Sequence, residues 1–509
     1  MRAIFARCHQ SIRLFRFGVY NLSMPTAKQN SELLPFALPG QSEADWSAYV
    51  EDFRRGAHEG VDWAADFLAN TRDFPVLPTM KPGDLVDRLP AHAPEHPEKL
   101  QEIMRDFERE VMPAITHWNH PGFMAYFGTT GSTPAIIAEM LAATLNTNGL
   151  HWKTSPAVAE LEQVALGWLR EWLGLPPEFF GIIYDTASVS TMHAIVCARE
   201  YVAPEMRVEG ITPGLTLYTS EQAHSSVEKG AIAVGLGQKY VRKVPTDSEF
   251  RMRPDALEEM IKADIAAGLK PACVVATIGT TSSTSVDPVA SIAGITEHFK
   301  MWLHVDAAYA GPTAVLPECK HHFAGIERAH SFVTNPHKWL LTPMDLSAFY
   351  TREPKVLRQA FSLVPEYLRA SDDPRAIHLM DYGVPLGHRF RSLKLWFLMR
   401  YFGKEGVSAI LRHHITLAQE FASWVDADPR FERVAPVPFS TVCFRLKGSD
   451  EMNHAVLAEV NRDGRVFLSH TSLNGKIVMR IAIGNIRTSH QDTALAWKLV
   501  QEAADKLLK

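Results

Sequence analysis

The 509-residue chain lacks most of the signals that assign a function at a glance. Cysteine is scarce: Cys8, Cys197, Cys273, Cys319 and Cys443 are scattered, odd in number and free of any CxxC pair. That argues against a disulfide scaffold or a structural zinc, and it favours a reducing compartment. No uninterrupted apolar run is long enough to cross a bilayer, so no membrane partner is expected. There is no GxxxxGK[ST] loop and no GxGxxG fingerprint. Internal repeats and low-complexity tracts are missing too. A net charge of −5 leaves no general basic footprint for nucleic acid. What is present is ordinary for a soluble globular protein, with 46% hydrophobic and 21% charged residues. The length allows a large core and two or three domains, and the expected location is cytoplasmic.

Acidic residues are also absent before Glu32, where Arg2, Arg7, Arg13 and Arg16 alternate with Ile4, Phe5, Ile12, Leu14, Phe15 and Phe17. The arginines interrupt any signal-peptide hydrophobic region. The pattern suits an organellar targeting helix, but the plainer expectation is a poorly ordered extension over 1–31, or a true start at Met24.

Residues 32–131 read as a helical N-terminal segment, with Trp46, Tyr49, Val50 and Phe53 at helical spacing and a Pro-rich connector at Phe74–Pro78. Over 132–392 helical stretches such as Pro156–Leu173 and 254–267 separate short β-rich runs at 215–219, 272–278, 301–305, 332–334 and 346–350. Strands alternating with helices predict an α/β fold with a mostly parallel central sheet covered on both faces. The remainder, 393–509, reads as a small α+β C-terminal domain, with a long helix at 393–402, another from Val407, and strands at 441–446 and 477–483.

Four segments carry chemistry. In Ser331-Phe332-Val333-Thr334-Asn335-Pro336-His337-Lys338-Trp339-Leu340-Leu341, a β-prone run stops at an Asn-Pro break, and Lys338 follows among apolar neighbours. Desolvation there lowers the amine pKa and favours Schiff-base chemistry, although a snorkelling lysine fits the segment equally well. Asp306 ends the apolar strand 301–305 and is followed by small residues. Ligands of open α/β sheets bind outside the carboxyl ends of the strands, and a carboxylate there can hold a pyridinium N–H. A buried structural Asp is the bland alternative. A metal set of His304, Asp306 and His337 ranks well below both.

The third segment, 181–194, is a hydroxyl-rich turn with Thr186, Ala187 and Ser188 entering a helix; it suits a phosphate, although plain Ser/Thr caps look the same. His224 follows the strand at 215–219 and is placed to stack on a planar cofactor or to bond loop backbone. Thr281, in Gly279-Thr280-Thr281, adds a hydroxyl at the same sheet edge. Each part is bland alone. Lysine, strand-end Asp, phosphate cap and stacking His at the strand–helix junctions of one sheet make a pyridoxal-phosphate site.

With "NPHKWLL", "HVDAAYAG", "QAHSSVEK", "PLGHRFRSLK" and "WKTSPAVAELE", the chain from about 35 to 500 resembles the pyridoxal-phosphate-dependent group II decarboxylases, the aromatic L-amino-acid decarboxylase family. The resemblance implies a fold-type I homodimer with the active site at the subunit interface and a dimerising N-terminal segment. It makes Lys338 the Schiff-base lysine, Asp306 the pyridinium partner and His224 the stacking ring. Ala187, Ser188, Asn335 and His337 match positions around the phosphate, beside the Thr186 hydroxyl, and Thr281 matches a ring contact. Thr129 matches the residue on the substrate-carboxylate side, and Trp118, Tyr126 and Phe127 an aromatic substrate wall. Tyr367, in the polar segment 360–375, matches the family's loop tyrosine, which protonates Cα after CO2 leaves.

The expected reaction is therefore decarboxylation of an aromatic L-amino acid to its amine. Relatives acting as aldehyde synthases typically replace the loop Tyr by Phe or the stacking His by Asn, and neither replacement is present here. An aldehyde synthase, a decarboxylase of another amino acid such as histidine, and a degenerate non-catalytic binder are the competing expectations. Gly387 matches a pocket position where absence of a side chain leaves room for a large ring. Asn148 and Leu150 depart from the Ile and Phe that animal relatives contribute from the neighbouring subunit, and Asn148 is placed to bond a ring hydroxyl. Thr186 and Val189 depart from the family's Ser-Ala-Ser-acid pattern, which bears on cofactor affinity.

Overall fold

The computed structural model describes residues 42–363, 373 and 375–508. It comprises two compact units. One contains residues up to Ala69 together with Thr79–Ile115, and the other Asn70–Pro78 together with Thr116–Lys509.

The first unit is dominated by the 27-residue helix Glu43–Ala69. Ser42 starts it: its hydroxyl accepts the Asp45 N–H at 3.1 Å and donates to the Asp45 carboxylate at 2.7 Å. Glu43 and Asp45 place negative charge in the first turn, where the helix dipole favours it. Trp63 stacks on Phe67 and meets Phe107 edge-on. None of the helix's residues is buried, and its Trp46, Tyr49 and Phe53 are exposed apolar surface.

The second unit is built on a seven-stranded sheet: β1 Phe180–Tyr184, β2 Leu215–Ser220, β3 Val241–Val244, β4 Lys270–Thr277, β5 Trp302–Asp306, β6 Ser331–Thr334 and β7 Ser347–Thr351. The spatial order is β1-β7-β6-β5-β4-β2-β3. Strands β2 to β6 pair in parallel, and β7 runs antiparallel to both neighbours. The central strands read as continuous apolar runs because both faces are covered. In β4, Val274 and Ala276 join one core cluster while Cys273 and Val275 join the other. The helix Pro156–Leu173 packs into the first cluster and Ala187–Val202 into the second.

A second, antiparallel sheet follows, ordered β10-β11-β9-β8 from β8 Phe431–Arg433, β9 Thr441–Leu446, β10 Ser469–Leu473 and β11 Lys476–Ala482. The helices Asp450–Arg462 and His490–Leu508 complete its core.

The predicted helix Pro156–Leu173 and strand Thr441–Leu446 form over those residues, and the other expected strands shift by one or two positions. The two helices expected at 393–402 and from Val407 run as one element, Ser392–Ala427, interrupted at Gly403, whose φ is +60°. Strands β1, β3, β8 and β10 were not expected. Gly181 dilutes the first, and β3 (Val-Arg-Lys-Val) is an edge strand whose charges read as loop.

Because β1 and β2 to β6 all point the same way, their carboxyl ends share one edge. The register Thr277↔Asp306↔Val333 places the ends of β4, β5 and β6 side by side. Gly311 allows the chain after β5 to turn back there. A Cβ at this position would lie 2.3 Å from the buried Thr334 hydroxyl and 2.6 Å from Thr334 Cβ. Gly311→Ala is therefore expected to cost about 1–3 kcal/mol, read as a lower denaturant midpoint with unchanged slope. A variant as stable as wild type would refute this packing.

Candidate active site

The Asn-Pro break after β6 does what its residues dictate. Asn335 stays extended and donates its N–H to Ala308 O at 3.0 Å, and Pro336 opens the single helical turn Pro336–Trp339. Lys338 rides on that turn. Its amine enters a cavity of about 930 Å³ and has no hydrogen-bond partner among the described residues. Burial lowers its pKa, Asp306 opposes that shift, and the Arg480 charge adds to it.

Asp306 ends β5 and is 5% exposed. Its Oδ1 accepts the Ala308 N–H at 3.0 Å, leaving Oδ2 for another donor. Below it on the same strand face lies His304, bonded through Nδ1 to the Ser331 hydroxyl at 2.9 Å. His224 lines the cavity from the turn after β2, and its Nδ1 accepts the Ser226 N–H at 3.2 Å, so Nε2 carries the ring proton. Burial, then Lys338, lowers its pKa.

His337 Nδ1 accepts the Leu346 N–H at 2.9 Å, which puts its proton on Nε2, 3.3 Å from the Asn335 side-chain amide. An Nε2–H needs an acceptor, so the amide oxygen belongs on that side and the NH2 group on the other. Thr186 caps the 16-residue helix Ala187–Val202, with its N–H on Asp185 Oδ1 at 2.5 Å; Ala187 is buried and Ser188 exposed. Thr281 and Thr129 line the same cavity.

The aromatic residues are brought together as expected but divide into two groups. Trp118 packs on Phe123 at 4.2 Å and stacks on Tyr126 at 6.0 Å, and both Trp118 and Tyr126 are open to the cavity. Tyr126 sits at a φ of +52°, a left-handed conformation costly for an aromatic residue. Its backbone is held there: the N–H donates to Ser469 Oγ at 3.4 Å and the carbonyl accepts Arg480 Nη1 at 2.8 Å. Phe127 instead lies buried, stacked on Tyr309 at 3.7 Å.

Arg480 was missed in the sequence. It is a β11 residue, 4% exposed, lining the cavity, and burial lowers its pKa. Nε donates to Ser282 O at 3.2 Å, and Nη2 is buried with no hydrogen-bond partner among the described residues. Its one signal was an arginine inside the apolar run Lys-Ile-Val-Met-Arg-Ile-Ala-Ile.

Three expected substrate residues do not line this cavity within the chain. Asn148 Oδ1 accepts the His388 N–H at 2.9 Å, Leu150 O accepts the Met380 N–H at 3.0 Å, and a Cβ on Gly387 would lie 3.6 Å from Asn148 Nδ2. Tyr367 lies outside the described residues. Among the described residues no group of three or more His, Cys, Asp or Glu side chains is placed to hold a metal ion.

An unbonded lysine amine, a strand-end carboxylate with a free oxygen and a long helix N-terminus at one sheet edge fit an aldehyde cofactor that carries a ring nitrogen and a phosphate. The site and the mostly parallel sheet define a fold-type I α/β enzyme that uses pyridoxal phosphate. A family model, the pyridoxal-dependent decarboxylase conserved domain, matches residues 82–447. The chain is 39% identical to tyrosine decarboxylase 2 of Narcissus pseudonarcissus over 90% of its own length and 95% of the relative's. It is 40% identical to phenylacetaldehyde synthase of Arabidopsis thaliana over 90% and 97%. Oryza sativa TDC, solved with PLP and tryptamine, superposes with a TM-score of 0.88 at 34% identity over 90% of this chain and 99% of that one. The chain belongs to the pyridoxal-dependent decarboxylase family. It is a carboxy-lyase whose cofactor is pyridoxal 5′-phosphate.

Burial holds His304, His337 and His414 at about 4, below the ordinary 6.5. Between those values the unfolded chain binds more protons than the folded one. Stability is therefore expected to fall as pH drops from about 6.5 towards 4, by up to about 3 kcal/mol per ring. Urea unfolding across that window measures it, and His414→Gln is expected to flatten the slope. Rising stability on acidification would mean that these imidazoles are charged in the native state.

Proposed function

We propose that the protein decarboxylates an aromatic L-amino acid to the corresponding amine and CO2. The observation that carries this reading is the unpartnered, buried Nη2 of Arg480, which shares one cavity with the Lys338 amine and the Trp118–Tyr126 wall. An amino acid presents a carboxylate and a side chain, for which the cavity offers the Arg480 guanidinium and the aromatic wall, and an amine, which would meet the cofactor aldehyde held at Lys338.

In this reading Lys338 would hold the cofactor through its aldehyde group, in place of the substrate's own amine. Asp306 would keep the cofactor's ring nitrogen protonated, His224 and Thr281 would hold its ring, and Thr186, Ala187, Ser188, Asn335 and His337 would hold its phosphate. Bound pyridoxal phosphate supplies an electron sink for the bond broken at Cα. Arg480 and Thr129 hold the carboxylate, so that the Cα–carboxyl bond is the one aligned for cleavage. Trp118 and Tyr126 take the aromatic side chain, and Tyr367 returns a proton to Cα.

A second reading, aldehyde synthesis, draws support from the phenylacetaldehyde synthase relative. Tyr367 and His224 favour the amine.

We further propose a homodimer whose second copy brings Asn148, Leu150 and Gly387 to the site. The apolar surface left open on Thr133–Leu145 (Ile137, Met140, Leu141 and Leu145) and on Glu43–Ala69 supports it. The reading keeps a helical dimerisation segment at 32–131, a cofactor domain at 132–392 and a small domain at 393–509. Among the described residues no helix is long and apolar enough to cross a membrane, and a cytoplasmic location is proposed.

Purified holoenzyme given tyrosine, DOPA, tryptophan, 5-hydroxytryptophan or phenylalanine is expected to release amine and CO2 in equal amounts. Aldehyde, ammonia and peroxide as main products would select the second reading. Arg480→Met is expected to lower kcat/KM by roughly 10- to 100-fold, the loss of a charge-assisted bond to a carboxylate. Unchanged steady-state kinetics would remove Arg480 from the site.

A further inference from the structure

The Phe127 ring lines the cavity, yet it is only 9% exposed. One face is covered by Tyr309, at 3.7 Å and 13°, and Tyr309 is backed by Trp339 at 4.7 Å and 5°. With that side filled, the two cations near the ring lie on the other: Arg480 Cζ at 4.5 Å from the centroid and Lys338 Nζ at 5.4 Å. An aromatic face carries partial negative charge and attracts a cation within about 6 Å. Neither face is left for a substrate ring.

Arg480 needs such support. It has no acidic partner among the described residues; Nε and Nη1 go to the Ser282 and Tyr126 carbonyls and Nη2 is left over. A buried charge ordinarily has a counter-ion. A carboxylate beside Arg480 would neutralise it and compete with any carboxylate entering from outside. A ring face offsets part of the desolvation cost without occupying Nη2.

We propose that Phe127 is the positioning residue of Arg480, a neutral platform that stands in for a counter-ion and keeps Nη2 open to the substrate carboxylate. Phe127 then supports the site from behind, in place of the substrate-wall role expected from the family resemblance, and the wall is left to Trp118 and Tyr126. The inference rests on the reading of Arg480 as the carboxylate site.

The test uses the holoenzyme and two unreactive probes, 3-phenylpropionate and its neutral amide, with dissociation constants from calorimetry. Phe127→Leu, which removes the ring face, is expected to weaken the carboxylate roughly tenfold and the amide less than about twofold. Phe127→Tyr, which keeps the face, is expected to restore the carboxylate affinity. Equal weakening of both probes in the leucine variant would make Phe127 a substrate wall, and no weakening would make it inert; either result overturns the proposal. Arg480→Met is the separate control. If it leaves the carboxylate affinity unchanged, the reading of Arg480 fails, whereas its loss there with no effect of Phe127→Leu overturns the platform alone. Should the leucine variant not hold the cofactor, Phe127→Met repeats the measurement with the volume better preserved.

Discussion

A buried arginine and a half-buried lysine lining one cavity, with the buried Asp306 carboxylate acting on the lysine charge, set the terms for the rest of the molecule. Lys338, Arg480 and Asp306 cannot all be desolvated without support, because each uncompensated charge costs several kcal/mol even after relaxation. Asp306 offsets part of the Lys338 cost. The Phe127 face and two carbonyls hold Arg480. What is left over, among the described residues, is a lysine amine and an Nη2 without hydrogen-bond partners.

That arrangement explains why the two sheets must be fastened to each other at one loop. Ser282, just after β4, accepts Cys443 Sγ at 3.1 Å and Arg480 Nε at 3.2 Å through its carbonyl, and Thr471 at 2.8 Å through its hydroxyl. Cys443, Thr471 and Arg480 belong to β9, β10 and β11, so the second sheet is keyed to the turn that carries Thr281. The column Phe127–Tyr309–Trp339 ties the same region together by stacking, and Trp339 Nε1 ends it on His414 Nδ1 at 3.0 Å. A conformational shift of Arg480 would have to break both connections. This is preorganisation by packing and hydrogen bonding, with the charges placed before any ligand arrives.

Much of the site was legible along the chain because its parts are local. Asn335-Pro336 places Lys338 on a turn whatever surrounds it, Asp306 follows an apolar strand, and Thr186–Ser188 open a helix. The place of Arg480 in the cavity was not legible. A lone arginine in a strand is read as an edge residue unless its neighbours are known, and those neighbours, Phe127 and Ser282, lie hundreds of positions away. The surroundings of Phe127 were not legible for the same reason: its place beside Tyr126 suggests one shared wall, whereas Tyr126 takes a left-handed φ of +52° and Phe127 stacks on Tyr309, far along the chain. Edge strand β3 and the Gly-containing β1 escaped notice because their pairing, not their composition, makes them strands.

The class of chemistry is written in the order of the residues. Alternating helices and apolar runs dictate a mostly parallel sheet, and the residues that end those runs are read directly, since local backbone preferences place them at strand–helix junctions. How the charges are shared emerges only once the chain has folded. Which carboxylate acts on the Lys338 charge, what packs against Arg480 and which aromatic rings line the cavity all depend on contacts distant in sequence, where desolvation and packing, and no local propensity, set the outcome.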